Sequence, residues 1–272
     1  MSYEGQTDGL DYYPCYYGGS RIPFRGPAVP LDGAYTVVIG GCEVYGRYVE
    51  DPFTDQLAEL TGRRVVNLGV RNAGLDVFSF DDRLLRVLSR AEVAIVQLTG
   101  AHNISNRFYT VHPRRNDRFL EAARPLTNLY RDIDFSDFSF TRHMLVTLRR
   151  RCPERFARVQ VELAEAWHAR MKLLLSRISG TRVLLHIENR NDYGLGSEPA
   201  FVSVEMIESL EGAFDKIVQC DVSSNLGDSR LDDMVFPGTE RDAALRMMST
   251  DAHEQVAAAL ARTVRRSNGM AA

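Results

Sequence analysis

Five short apolar runs, separated by stretches of helical period, leave this chain few ways to fold. Tyr35 to Ile39, Val65 to Val70, Val93 to Leu98 (VAIVQL), Arg182 to Glu188 (RVLLHIE) and Lys216 to Val222 (KIVQCDV) are each the length of a strand. The third is apolar almost throughout, as a parallel strand buried on both faces must be. Helical segments run from Pro52 to Leu60, from about Phe80 to Arg90, and through an alanine-rich tail from Ala252 to Arg266. Parallel neighbours need long crossover connections, so strand and helix in alternation specify an α/β fold of three layers around a five-stranded, mostly parallel sheet.

Two segments lie outside that alternation. The first 34 residues, with Tyr12, Tyr13, Tyr16 and Tyr17 before Gly18 and Gly19, carry no helical period and read as an extended arm. Between the third and fourth strands, Phe108 to Ser179 is too long for one crossover helix. Its last part places Phe156, Val159, Leu163, Trp167, Met171, Leu174 and Ile178 at steps of three and four before Gly180. We expect a helical insertion, residues 108–179, acting as a lid over the carboxyl end of the sheet, within one domain spanning 1–272.

Composition narrows the partners. Lys plus Arg number 33 against 36 Asp plus Glu, a net charge of −3 in 272 residues, which argues against a nucleic-acid or anionic-membrane binder. Without a membrane-length apolar run or a basic and apolar leader, the expectation is a soluble, cytoplasmic protein; nothing speaks to its oligomeric state. Cys15, Cys42, Cys152 and Cys220 lack zinc-ligand spacing, and no histidine pair has metal-binding spacing. The Gly40-Gly41 turn has neither a phosphate-loop lysine nor a G-x-G-x-x-G pattern, so no metal and no cofactor is expected.

The first strand ends in Ile39-Gly40-Gly41-Cys42-Glu43-Val44-Tyr45-Gly46. A thiol on a glycine turn between strand and helix occupies a nucleophile's position, open to activation by a helix amino terminus or an imidazole; it is equally a small residue that packs.

Phe24-Arg25-Gly26-Pro27, the GGCEVYG turn, Glu50-Asp51-Pro52 and Val66-Asn67-Leu68-Gly69-Val70-Arg71-Asn72 together resemble the amino-terminal half of the SGNH/GDSL hydrolase superfamily. The resemblance implies a flavodoxin-like strand order of 2-1-3-4-5. It also implies a nucleophile at Cys42, where the family has serine, and oxyanion donors at Gly69 and Asn103. In Thr99-Gly100-Ala101-His102-Asn103 a one-residue shift would select His102 instead of Asn103. Thr250-Asp251-Ala252-His253 stands where the family carries its aspartate and histidine, which implies His253 as base and Asp251 as its orienter; the same residues also fit a helix N-cap at Asp251 and a first-turn position at His253. The chain departs from the pattern at Gly41 for aspartate, Cys42 for serine, Asn72 for the second glycine, and D-x-H for D-x-x-H. As a whole it is also similar to an uncharacterised bacterial family of the same length.

Downstream of Asn103, the basic and aromatic run Asn106 to Arg118 either offers Arg114, Arg115 and Arg118, with His102, as contacts for a bound substrate or is a solvated loop with its charges paired to Asp117 and Glu121; Arg142 and His143 are open in the same way. Two functions follow from these residues. One is acyl transfer by an esterase, thioesterase or O-acyltransferase with Cys42 as nucleophile. The other is a non-catalytic SGNH-like protein that binds a glycan or small anionic metabolite.

Overall fold

The computed structural model describes residues 9–188, 194–223 and 231–266; residues 1–8 of the expected arm lie outside them. In chain order the elements are β1 (Thr36–Gly40), α1 (Cys42–Tyr45), α2 (Phe53–Thr61), β2 (Val65–Gly69), α3 (Asp76–Ser79), α4 (Asp82–Arg90) and β3 (Val93–Gln97). There follow β4 (Tyr109–His112), β5 (Arg115–Ala122), α5 (Arg124–Leu129), α6 (Thr141–Arg151), α7 (Pro153–Leu175) and β6 (Thr181–Glu188). The chain continues through α8 (Val204–Glu208), β7 (Lys216–Asp221), α9 (Arg241–Ala244) and α10 (Thr250–Arg266).

The main sheet has five strands, all paired in parallel, in the order β2-β1-β3-β6-β7. In order of appearance that is 2-1-3-4-5. Every residue of β1, β2 and β3 is buried, and alternate side chains enter two separate cores. Val37, Ile39, Ala94 and Val96 face one core, which includes Trp167 and Met171 of α7. Val38, Val93 and Ile95 face the other, where α2 and α10 supply Phe53, Leu57, Val256 and Leu260. Helices on both faces of a parallel sheet make the three-layer α/β fold.

The insertion is not wholly helical, which corrects that expectation. It opens with the antiparallel hairpin β4–β5 and only then becomes α5, α6 and α7. In β4, Tyr109 and Val111 are buried while Thr110 is exposed, the alternation of a half-buried strand. β5 (RNDRFLEA) has little apolar signal, and buried Asn116 anchors it by accepting the amides of Gly74 and Val77 at 3.0 and 3.1 Å. In α7 the expected stripe from Phe156 to Leu174 is buried throughout.

Asp76 in α3 ties the insertion to the sheet. Its carboxylate, 4% exposed, meets Arg170 Nε of α7 at 2.6 Å and accepts the Ser105 amide at 2.7 Å. Removing one partner of a buried pair leaves the other charge uncompensated. Asp76→Ala is therefore expected to lower unfolding free energy by about 3 to 5 kcal/mol, read from the urea midpoint; a loss below ~1 kcal/mol would contradict this account.

The arm folds back on itself. Cys15 and Phe24 form an antiparallel bridge, and the left-handed Gly18 and Gly19 turn the chain between them. Arg25 then inserts its guanidinium under the turn after α1, donating to the carbonyls of Gly46 at 2.7 Å, Val49 at 2.8 Å and Glu50 at 2.5 Å. These bonds tie together the carbonyls of the turn, and so brace the segment that follows α1.

Candidate functional site

The carboxyl ends of β1 and β3 open into a cleft of about 250 Å3. Its floor depends on two glycines. A Cβ on Gly40 would lie 2.2 Å from Gln97 Oε1 and 2.5 Å from a Val44 methyl, so only glycine lets the turn approach β3. Gln97, the polar residue at the end of β3, accepts the Gly41 amide at 2.7 Å and donates to Glu43 Oε2 at 2.9 Å. Burial pushes the Glu43 carboxyl up, against the bond from Gln97.

Cys42 begins α1 and is 8% exposed. Its thiol donates to Asn72 Oδ1 at 3.4 Å, and its sulfur accepts the Asn72 amide at 3.3 Å. Asn72 reaches it from a left-handed conformation, φ 55°. Burial, reinforced by the charge of Glu43, pushes the thiol up to about 12. At neutral pH this is a thiol rather than a thiolate.

Opposite Cys42, Arg142 of α6 forms an ion pair with Glu198 at 2.5 Å and places Nη2 3.2 Å from His102 Nε2. A guanidinium can only donate, so Nε2 accepts and the ring proton sits on Nδ1. That Nδ1 is buried and has no partner among the described residues, and neither has the Thr99 hydroxyl in the same wall. Burial first, then Arg142, lowers His102 to about 4, leaving it neutral. Burial raises Glu198, but the charge of Arg142 and the bonds from Arg142 and the Ala200 amide outweigh it, so its carboxyl is held below the usual range. One cleft thus holds two carboxyls pushed apart, Glu43 toward the acid and Glu198 toward the carboxylate.

The residues expected to act together are only partly together. Cys42, His102 and Asn103 line the cleft; His253 does not. His253 is 1% exposed, stacks on Phe53 at 5.7 Å, and accepts the Phe53 amide on Nδ1 at 3.0 Å, with burial lowering it to about 3. Asp251 is exposed in the first turn of α10, and no hydrogen bond joins it to His253 among the described residues. Gly69 gives its amide to Asn67 Oδ1 at 2.8 Å and packs under Tyr45, where a Cβ would fall 2.2 Å from the Tyr45 nitrogen. Asn103 donates to the Asn72 carbonyl at 3.0 Å and accepts from Thr141 Oγ1 at 2.6 Å, so it braces the Asn72 loop.

Of the arginines expected over the cleft, none lines it. Arg118 lies 4.1 Å over the Phe140 ring, and Arg114 and Arg115 border a neighbouring groove. Arg246, Met247 and Met248, ahead of α10, line the cleft instead. The sequence alone did not mark Glu43, Asn72, Gln97, Thr99 and Glu198 as cleft residues, and left Arg142 open between ligand contact and solvated surface. Gln97 had a signal, a lone polar residue inside an apolar strand, and Glu43 stood beside the cysteine in the turn; Glu198 had none.

Two buried neutral histidines make stability depend on pH. Both have folded values below the unfolded ~6.5, so the unfolded chain takes up protons that the native one refuses, and stability falls as pH drops from about 6.5 toward 4. The expected slope is about 1.4 kcal/mol per pH unit for each histidine. His253→Asn should reduce the slope by about 1.4 kcal/mol per pH unit in urea titrations between pH 6 and 4; an unchanged slope would show that His253 does not contribute.

Fold and site together define an α/β protein with a cleft at the carboxyl ends of its central strands, where open sheets bind ligands. The chain belongs to the DUF6473 family, a domain of unknown function, whose model matches residues 1–268. No curated protein matches it. Among solved structures it is similar to the lipase Lip_vut3 from a goat rumen metagenome, at 10% identity and a TM-score of 0.39, over 84% of this chain and 95% of that one. No helix among the described residues is long and apolar enough to cross a membrane.

Proposed function

We propose that this protein is an SGNH/GDSL-like binding protein whose cleft takes one hydroxyl-rich unit, such as a sugar, with Cys42 as a contact residue rather than a nucleophile. The observation that carries this reading is the burial of the Cys42 sulfur, which keeps it a thiol that donates to Asn72 Oδ1, while the His253 ring is committed to Phe53. An acyl-transfer cycle needs a thiolate and a base within hydrogen-bond reach of it. The cleft wall offers a ligand something else: among the described residues, the Thr99 hydroxyl and His102 Nδ1–H are buried without partners. Such groups cost about 1 to 3 kcal/mol when left unmade, and hydroxyls, which both donate and accept, can satisfy both.

Calorimetric titration with galacturonate tests the reading. Binding by the wild type and a five- to tenfold loss in Thr99→Val, which removes the hydroxyl at nearly constant volume, are expected. Turnover of p-nitrophenyl acetate that disappears in Cys42→Ala would overturn it and restore acyl transfer. Equal affinity in wild type and Thr99→Val, or no binding by the wild type, would refute the assigned contact.

A further inference from the structure

Beside the cleft runs a larger groove of about 800 Å3 that the site described above does not use. One rim is the folded arm, carrying Tyr12, Tyr16 and Arg21; the other is the tip of the β4–β5 hairpin, carrying Arg114 and Arg115. The floor is Tyr45 of α1 with Arg71 stacked over its ring at 5.6 Å. All four arginines are exposed, and none is in an ion pair among the described residues. Among the described residues Asp11 is the single carboxylate on the groove, and it accepts the Tyr13 amide at 2.9 Å. In a chain of net charge −3, a groove with four arginines against one aspartate is a local concentration of positive charge, not a reflection of composition.

The hairpin tip is held in shape. His112 Nδ1 accepts the amides of Arg114 and Arg115, each at 3.2 Å, which fixes the turn from which both guanidiniums project and leaves the ring proton on Nε2. Across the groove, the bridge between Cys15 and Phe24 fixes the arm, and Tyr16 beside it is 61% exposed. Guanidinium forks suit carboxylates and sulfates, and exposed tyrosine rings pack on the apolar faces of sugars.

We propose that this groove binds an acidic oligosaccharide. Its volume is about three times that of the cleft, which suits several units rather than one. The two sites are continuous along the chain. Tyr45 on the groove floor lies one helical turn after Cys42, and Arg71 immediately precedes Asn72. The terminal unit of a chain lying in the groove enters the cleft; this part rests on the cleft reading above. A polynucleotide has at most one free hydroxyl on each internal sugar to offer the Thr99 and His102 wall, whereas each glycan unit has several.

Binding of tetragalacturonate, maltotetraose, thymidine octanucleotide and galacturonate to the full chain decides the matter. Tetragalacturonate is expected to bind at least tenfold more tightly than either maltotetraose or the octanucleotide. Arg114→Ala/Arg115→Ala and, separately, Tyr16→Ala should weaken it at least tenfold and about fivefold, and neither should change galacturonate binding. Circular dichroism melts of these surface variants confirm that they fold. Tetragalacturonate binding that is absent, or equal in wild type and both variants, overturns the groove; galacturonate binding that persists then leaves the cleft reading intact. Loss of galacturonate binding alone, with groove-dependent tetrasaccharide binding retained, overturns the cleft reading and the terminal-unit placement but not the groove. Tighter binding of the octanucleotide would replace the glycan with a nucleic acid.

Discussion

At pH 7, iodoacetamide is expected to alkylate Cys42 about a hundredfold more slowly than a free cysteine thiol. With the thiol pushed up to about 12, its thiolate fraction at pH 7 is some three thousandfold below that of a group at ~8.5. A more basic thiolate is intrinsically more nucleophilic, and a Brønsted slope near 0.45 recovers about thirty- to fortyfold of that deficit. The net effect remains two orders of magnitude, and the 8% exposure of Cys42 adds to it. Quantified labelling by mass spectrometry should find Cys42 the slowest of the four cysteines, with a rate still rising at pH 10. If Cys42 instead reacts fastest, and slows in His253→Ala, the thiol is an activated nucleophile and the acyl-transfer reading is correct.

Trp167→Ala should be among the most destabilising single substitutions in the chain, at about 3 to 5 kcal/mol. Trp167 is fully buried in the core under β3 and donates Nε1–H to the Thr99 carbonyl at 2.8 Å, so it supports both the insertion and the cleft wall. Typical domains have about 5 to 15 kcal/mol in total, so the variant is expected to be partly unfolded at 37 °C. Trp167→Phe restores most of the volume but leaves the Thr99 carbonyl without its donor, a cost of about 1 to 2 kcal/mol. Because Trp167 is the only tryptophan, unfolding is best followed by circular dichroism. A midpoint shift for Trp167→Ala equivalent to less than ~1 kcal/mol would show that the α7 stripe does not hold the insertion in place.

The strands were legible because a central parallel strand is buried on both faces and so has to be apolar at nearly every position. The runs expected at Tyr35, Val65, Val93, Arg182 and Lys216 became strands within a residue of those starts. The helical stripe ending at Ile178 was legible for a similar reason: spacing along one helix decides which side chains share a face. The hairpin was not. β5 is mostly charged, and it exists because Asn116 satisfies the amides of Gly74 and Val77, some forty residues earlier in the chain.

The same division runs through the site. The glycine turn with Cys42 at the end of the first strand could be read directly. His253 invited an active-site reading by its place before the last helix, yet it stands in phase with Val256, Ala257, Leu260 and Val264, the stripe of α10 that packs toward α2. That phase was in the sequence, and what it implied needed Phe53 as the partner. By itself the sequence determined which positions are apolar, at what period, and hence the sheet, its covering helices and the turn that carries the thiol. Only the tertiary structure decided that Asn72 faces Cys42, that Arg142 and Glu198 meet His102, and that Arg114 and Arg115 border a groove instead of the cleft. Burial patterns are local properties of a chain, whereas a polar side chain's partner is set by the packing of segments far apart in sequence, whose relative placement no local period records.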